Sequence, residues 1–259
     1  MKKIIAMFLC FAVLFCTLSV SDAKSIVPEK LPASVIDISK ENTYPNPTHD
    51  ASELVPSGHT KSLLKTANVA IENPVLIKLL NESVIHPSKW SIGYSACIYL
   101  GEWPLNYESK ETSVNWEFKK INDNAADARG SKNGQQIGYF QKIQVRINGG
   151  LTSEVPKQEE ASKLIMAKTM AKTHLPISFS TIVGAGTKID RHYQVSSKQI
   201  GHLYGFVPAV NERGKITYGE VFLVLKGGKA RIDVKNIMQQ GIGAWMPIQD
   251  HIALRYLAK

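Results

Sequence analysis

The sequence predicts an α+β fold: a largely antiparallel sheet with a few packed helices, in a single mature domain. Three observations carry that prediction. Gly227-Gly228 is a two-residue hairpin signal, after which Ala230, Ile232 and Val234 alternate with Arg231, Asp233 and Lys235 as in a half-buried strand. Helix signals are grouped at Thr60 to Ala67 and Pro74 to Leu80, and return once at Pro156 to Leu175. From Trp90 onward the other apolar runs are short, strand-like and consecutive.

The chain has 259 residues and opens with a basic Met1-Lys2-Lys3, an apolar run from Ile4 to Val20, and small residues at Ser21 and Ala23. This is the layout of a secretory signal peptide over residues 1–23, cut between Ala23 and Lys24. The run is shorter than the roughly 20 apolar residues of a membrane anchor and contains Cys10, Cys16, Thr17 and Ser19. Leu9 before Cys10 and Phe15 before Cys16 are too large for a lipoprotein signal. No second apolar stretch approaches spanning length, so no membrane span is expected after cleavage.

Cleavage would leave Cys97 as the one cysteine, unable to form an internal disulfide. It sits in the apolar run Ser95 to Leu100 and reads as a buried, inert thiol; the competing reading is a nucleophile with a base brought near by the fold. Removing Lys2, Lys3 and Asp22 from 31 basic and 22 acidic residues leaves 29 and 21, a formal +8. Outside a cell membrane a cationic protein meets polyanions such as wall polymers and anionic lipids, whereas nucleic acid is not an expected partner of an exported protein. The lysines are scattered, so the bland reading is a solvated basic surface.

Residues 24–58 hold five of the twelve prolines and read as an extended arm, with one short strand at Ser34 to Ile38 and turns at Asn42 to Pro47. Residues 59–259 form the α+β domain. Pro74 suits the first position of the second helix. Trp90, Tyr94, Tyr99, Trp103, Tyr107 and Trp116 then cluster with Phe118 among glycines, as a candidate ligand surface. The alternative is that strands favour aromatics and these fill the core.

Residues 122–138 read as an exposed polar loop without the ligand pattern of a calcium site, and Tyr139 to Ile147 as a strand. In the helix of Pro156 to Leu175, Glu159 and Glu160 open and Lys172 and His174 close the dipole. Leu164, Ala167, Ala171 and Leu175 make its packing stripe, and Met166 and Met170 lie opposite. Strands follow at Ile200 to Val210 and Ile216 to Leu225, joined by a turn at Asn211-Glu212-Arg213-Gly214. A glycine-bent connection over Gln239 to Trp245 precedes a last strand near His251 to Leu257.

Several segments resemble the YfkD-like family of Bacillus and relatives: Ser39 to Pro47, Tyr99 to Ser109, Gly184-Ala185-Gly186-Thr187-Lys188, Tyr218 to Gly227 and Gln240 to Trp245. They span nearly the whole mature chain. The resemblance implies an exported protein of a Gram-positive, often spore-forming, bacterium, and supplies no catalytic residues.

Motifs for chemistry are missing from the sequence. Gly93-Tyr94-Ser95-Ala96-Cys97 breaks the nucleophile-elbow pattern, and the seven histidines stand too far apart for a short metal motif. Gly184-Ala185-Gly186 and Gly241-Ile242-Gly243 lack the third glycine of a dinucleotide loop. No cofactor or metal is therefore expected. The reading is a non-catalytic envelope protein that binds a protein partner or assembles at the surface. The alternatives are a binding module for wall glycan or teichoic polymer, and a hydrolase or transferase with a spatially assembled site.

Overall fold

The computed structural model describes residues 24–26, 30–47, 55–83 and 95–259. Among them are eleven strands and three helices, with a sheet-dominated, mostly antiparallel architecture. The spine is three long strands: β3 (Ser95–Asp127), β9 (Ile200–Lys226) and β10 (Lys229–Pro247). At about 3.3 Å per residue, a straight strand the length of β9 would reach on the order of 90 Å. It lies between β3, which pairs with it throughout, and two successive neighbours on its other edge. These are β11 (His251–Ala258), along Gly201 to Phe206, and β10, from Ala209 to Lys226.

Short strands complete this sheet: β1 (Lys24–Ile26) parallel to β3, β2 (Val35–Asp37) on β11, and β6 (Gly150–Leu151) on β10. Two ribbons pack beside it, β4 (Gln135–Phe140) with β8 (Lys188–Val195), and β5 (Val145–Asn148) with β7 (Ser180–Val183). The helices are α1 (Gly58–Leu64), α2 (Pro74–Glu82) and α3 (Gln158–Thr173). Ser57 caps α1, and Asn73 caps α2 just before its expected proline.

Three large buried clusters follow one another along β9, and a smaller fourth joins Phe206 to Val35 and Ala253 on the opposite side of its first stretch. Leu203 and Val207 meet Ile252 and Leu254 of β11 and the β4–β8 ribbon. Val210, Ile216 and Tyr218 meet α3, and Val221 and Leu223 meet α1 and α2. The buried positions thus change from odd to even and back to odd. Register breaks in the partner strands lie at the same levels, Asn115/Lys119 on β3 and Lys235/Met238 on β10.

Several expectations are corrected. Asn211 to Gly214 is no turn but continuous β9: Glu212 is fully buried and accepts from Tyr107 Oη (3.2 Å) and Thr112 Oγ1 (2.6 Å). Gly214 serves close strand contact there, since a Cβ would lie 2.2 Å from the Glu108 carbonyl oxygen. Gln239 to Trp245 is likewise continuous strand. The polar stretch from Asn122 is strand as far as Asp127, because Asn124 both donates to and accepts from the Phe140 backbone and so extends the pairing. Tyr139 to Ile147 splits at Gln141, which is fully buried and bonded to Tyr139 Oη and the Ile143 carbonyl.

In α3 the buried side is Ala161, Leu164, Ile165, Thr169 and Thr173, while Ala167 and Ala171 are exposed. Thr169 and Thr173 donate to the carbonyls four residues back, which satisfies their hydroxyls and lets them pack as apolar groups. Met166 and Met170 are half-buried against the same cluster rather than on an opposite side.

The described part of the arm is tied to the ribbons. Asn46 donates to the Ile182 carbonyl (2.9 Å) and accepts from the Ile182 N–H (3.0 Å), taking the place of a strand on the edge of β7. Asn42 and Asn46 both donate to Asp250 Oδ1, at 2.8 and 2.9 Å. Gly184 is required by this contact, since a Cβ would lie 2.0 Å from Thr43 Oγ1.

Candidate binding face

The first stretch of β9 is deeply buried on one side and partly covered on the other, where Phe206 is 6 % exposed beneath Val35, Trp116 and Ala253. Leu203, Gly205 and Val207 point into the core, so His202, Tyr204 and Phe206 must share the other face. The register sets neighbours beside each of them. Asp123 and Arg255 flank Tyr204, Lys120 and Ala253 flank Phe206, and Ala125 and Leu257 flank His202. Lys120, Tyr204, Phe206, Arg255, Tyr256 and Leu257 line a shallow concavity of about 520 Å³.

The polar groups on this face are paired with one another. His202 Nδ1 lies 3.1 Å from Asp123 Oδ1, and Lys120 Nζ lies 3.2 Å from Asp123 Oδ2. Arg255 donates to Glu117 Oε2 at 2.6 Å. Partial burial alone would raise the Asp123 carboxyl, but the hydrogen bonds from His202 and Lys120 outweigh it and hold Asp123 below its ordinary value. The rings are engaged as well. Lys120 Nζ stands 4.1 Å from the Tyr204 centroid, and His202 stacks on Tyr204 at 5.7 Å and 8°. The Arg255 guanidinium lies 5.0 Å from Phe206.

Of the six aromatic residues expected to form a ligand surface, Trp90 and Tyr94 lie outside the described residues. The other four do not form one platform. Trp103 is 8 % exposed, donates Nε1 to the Leu100 carbonyl and carries Lys157 Nζ 3.7 Å from its ring. Tyr107 is 4 % exposed, and burial together with its bond to Glu212 pushes the phenol well above its usual range. Both belong to the core because strand alternation and the bulges of β3 turn them inward. Trp116 is half-buried, packed on Val35, Phe206 and Ala253 at the margin of the face. Tyr99 is 56 % exposed at the far end of the sheet, with its ring 5.1 Å from Phe222.

Cys97 is exposed, contrary to the buried thiol expected from its apolar surroundings, because it shares the outward row of Tyr99 at the end of β3. Ala23 of the expected cleavage site lies outside the described residues, and Lys24 begins β1. Among the described residues no three His, Cys, Asp or Glu side chains gather as a metal site, and no helix is long and apolar enough to cross a membrane. His202, Tyr204 and Phe206 were hidden from sequence reasoning inside an apolar strand. Their alternation with Leu203, Gly205 and Val207 is the signal that marks them.

The comparisons with known proteins bear on family more than on activity. The model of the family described as YfkD-like protein matches residues 32–259. The protein named "Uncharacterized protein YfkD" from Bacillus subtilis (strain 168) is 50 % identical over 256 residues, covering 99 % of this chain and 97 % of that one. Among solved structures, the crystal structure of Lamprey immune protein is similar over 63 % of this chain and 53 % of that chain. Its identity of 6 % and TM-score of 0.25 carry no argument about this one. On the family match and the near full-length relative, the chain belongs to the YfkD-like family.

Proposed function

We propose that the protein is exported and acts at the cell envelope as a non-catalytic binder of a protein partner, through the face formed by β3, β9 and β11. Export rests on the leader-like residues 1–23. The observation that carries the binding assignment is the combination of aromatic rings with internally paired charges. Lys120 and Arg255 are offset by Asp123 and Glu117, so the face offers little net attraction to a polyanion. Its Tyr204 ring already holds Lys120 and stacks on His202, and Phe206 is buried beside Arg255, so neither presents a free flat face for a sugar. Aromatic and arginine side chains on a preorganised surface are what protein interfaces use as anchors.

The test is a photo-reactive residue placed at Leu257, which is exposed at the edge of the face, followed by irradiation of living cells. One discrete protein adduct that disappears when Tyr204→Ser is added is the expected result. A wall pull-down across a salt series is its counterpart. Salt-resistant retention on purified wall, with no protein adduct, would replace this reading by the glycan or teichoic-polymer module.

A further inference from the structure

The other end of the same sheet is built differently. The β9–β10 hairpin closes through Gly227 (φ 55°) and Gly228 (φ 73°), the left-handed pair that a tight two-residue turn demands. That turn sets Lys226 directly opposite Lys229. The next outward rows are Cys97–Val224–Arg231 and Tyr99–Phe222–Asp233. The reverse side is filled by α1 and α2 packing on Leu223, Ile232 and Val234, so this side faces out. Lys226, Lys229 and Arg231 are exposed, and no described carboxylate forms an ion pair with any of them. Asp233 and Glu220 lie farther from the tip, with Glu220 bonded to Asn236. Lys235 lies over the Phe222 ring at 5.0 Å.

Like charges set opposite each other in a hairpin are unfavourable unless something neutralises them. Here the cations also surround an apolar centre of Tyr99, Phe222 and Val224. We propose that this hairpin end docks peripherally on an anionic phospholipid surface, with Lys226, Lys229 and Arg231 at the headgroups and Tyr99 and Phe222 at the interface. Charge complementarity calls for an anionic occupant. The exposed Tyr99 beside those cations favours a bilayer over a soluble phosphate polymer, because an interface takes up both the charge and the aromatic ring. No strand or helix crosses the membrane in this arrangement. The site is separate from the protein-binding face and stands or falls without it.

Cys97 lies on β3 at the side of this surface, in the row of Val224 and Arg231, and is the one thiol of a chain beginning at Lys24, so it takes a polarity-sensitive fluorophore there. The labelled chain is titrated with vesicles of phosphatidylcholine and phosphatidylglycerol at 3:1, with pure phosphatidylcholine vesicles, and with soluble poly(glycerol phosphate). Blue-shifted emission and co-sedimentation with the mixed vesicles alone are expected. Replacing Lys226, Lys229 and Arg231 by serine should weaken that binding roughly a hundredfold, from the contribution of three basic residues near an anionic surface. Serine at the exposed Lys40, Lys132 and Lys142 removes the same charge elsewhere and should weaken it less than threefold. Equal loss in the two triple variants, unchanged binding in the first, or binding to the polymer without a blue shift would each overturn the proposal. Circular dichroism of the variants guards against misfolding, and Tyr99→Ser alone should reduce the blue shift.

Discussion

The two ends of β9 present similar side chains in opposite electrostatic states. Near Ile200, Lys120 and Arg255 lie over rings and are matched by Asp123 and Glu117. Near Lys226, the hairpin cations surround Tyr99 and Phe222 without described carboxylate partners. At the first end the charge fixes a preformed surface, and at the second it is left available to a ligand. Composition does not separate these cases. Strand register does, because it decides whether an acid lands next to a base.

The largest effect is expected between the two ends. Gly214→Ala drives a Cβ against the Glu108 backbone in the middle of β9 and should lower stability by about 3 kcal/mol, read as a fall in the thermal midpoint. If both ends are parts of one continuous strand, melts followed at either end should shift together. Asn46→Ala comes next: it frees the N–H of Ile182, whose carbonyl keeps its bond from Asn42, removes one donor from Asp250, and should cost about 2 kcal/mol in denaturant titration.

The comparison itself is sharpened by two arginines. Arg255→Ala loses the Glu117 bond and the contact over Phe206 and should cost about 1 kcal/mol. Arg231→Ala should stay within about 0.5 kcal/mol, as for an exposed side chain away from any paired network. Equal costs in chemical denaturation would erase the distinction between the ends. The smallest effect is in pH. Asp123 is held below its ordinary value of 3.8, so its contribution is complete above that value and is lost as pH falls through the lower folded-state value. The stability gap between the protein and Asp123→Asn should therefore be widest above about pH 4 and close toward more acidic pH.

Local signals in the sequence match the fold where local chemistry decides the structure. Gly227-Gly228 forms the hairpin, Pro74 starts a helix, and β11 ends the chain close to its expected span. The continuity of β9 and β10 was not legible, because Asn211 to Gly214 has the composition of a turn and only its pairing with β3 shows otherwise. Glu212 illustrates the difficulty: a charged residue within an expected turn is buried because Tyr107 and Thr112 reach it from about a hundred residues away. The division of the aromatic cluster is not legible for the same reason, since bulges decide which way Trp103, Tyr107 and Tyr99 point. The paired face of Tyr204 and Arg255 depends on strands far apart in sequence and left only the alternation at His202 to Val207 as a trace.

The most direct test of two separate binding ends is a salt wash of the cell envelope carrying the protein, its Tyr204→Ser variant, or the serine variant of Lys226, Lys229 and Arg231. The account predicts that the hairpin variant loses only the fraction released by salt, since screening acts on exposed charges, and that Tyr204→Ser loses only the fraction that resists it. Loss of both fractions in either variant would contradict it.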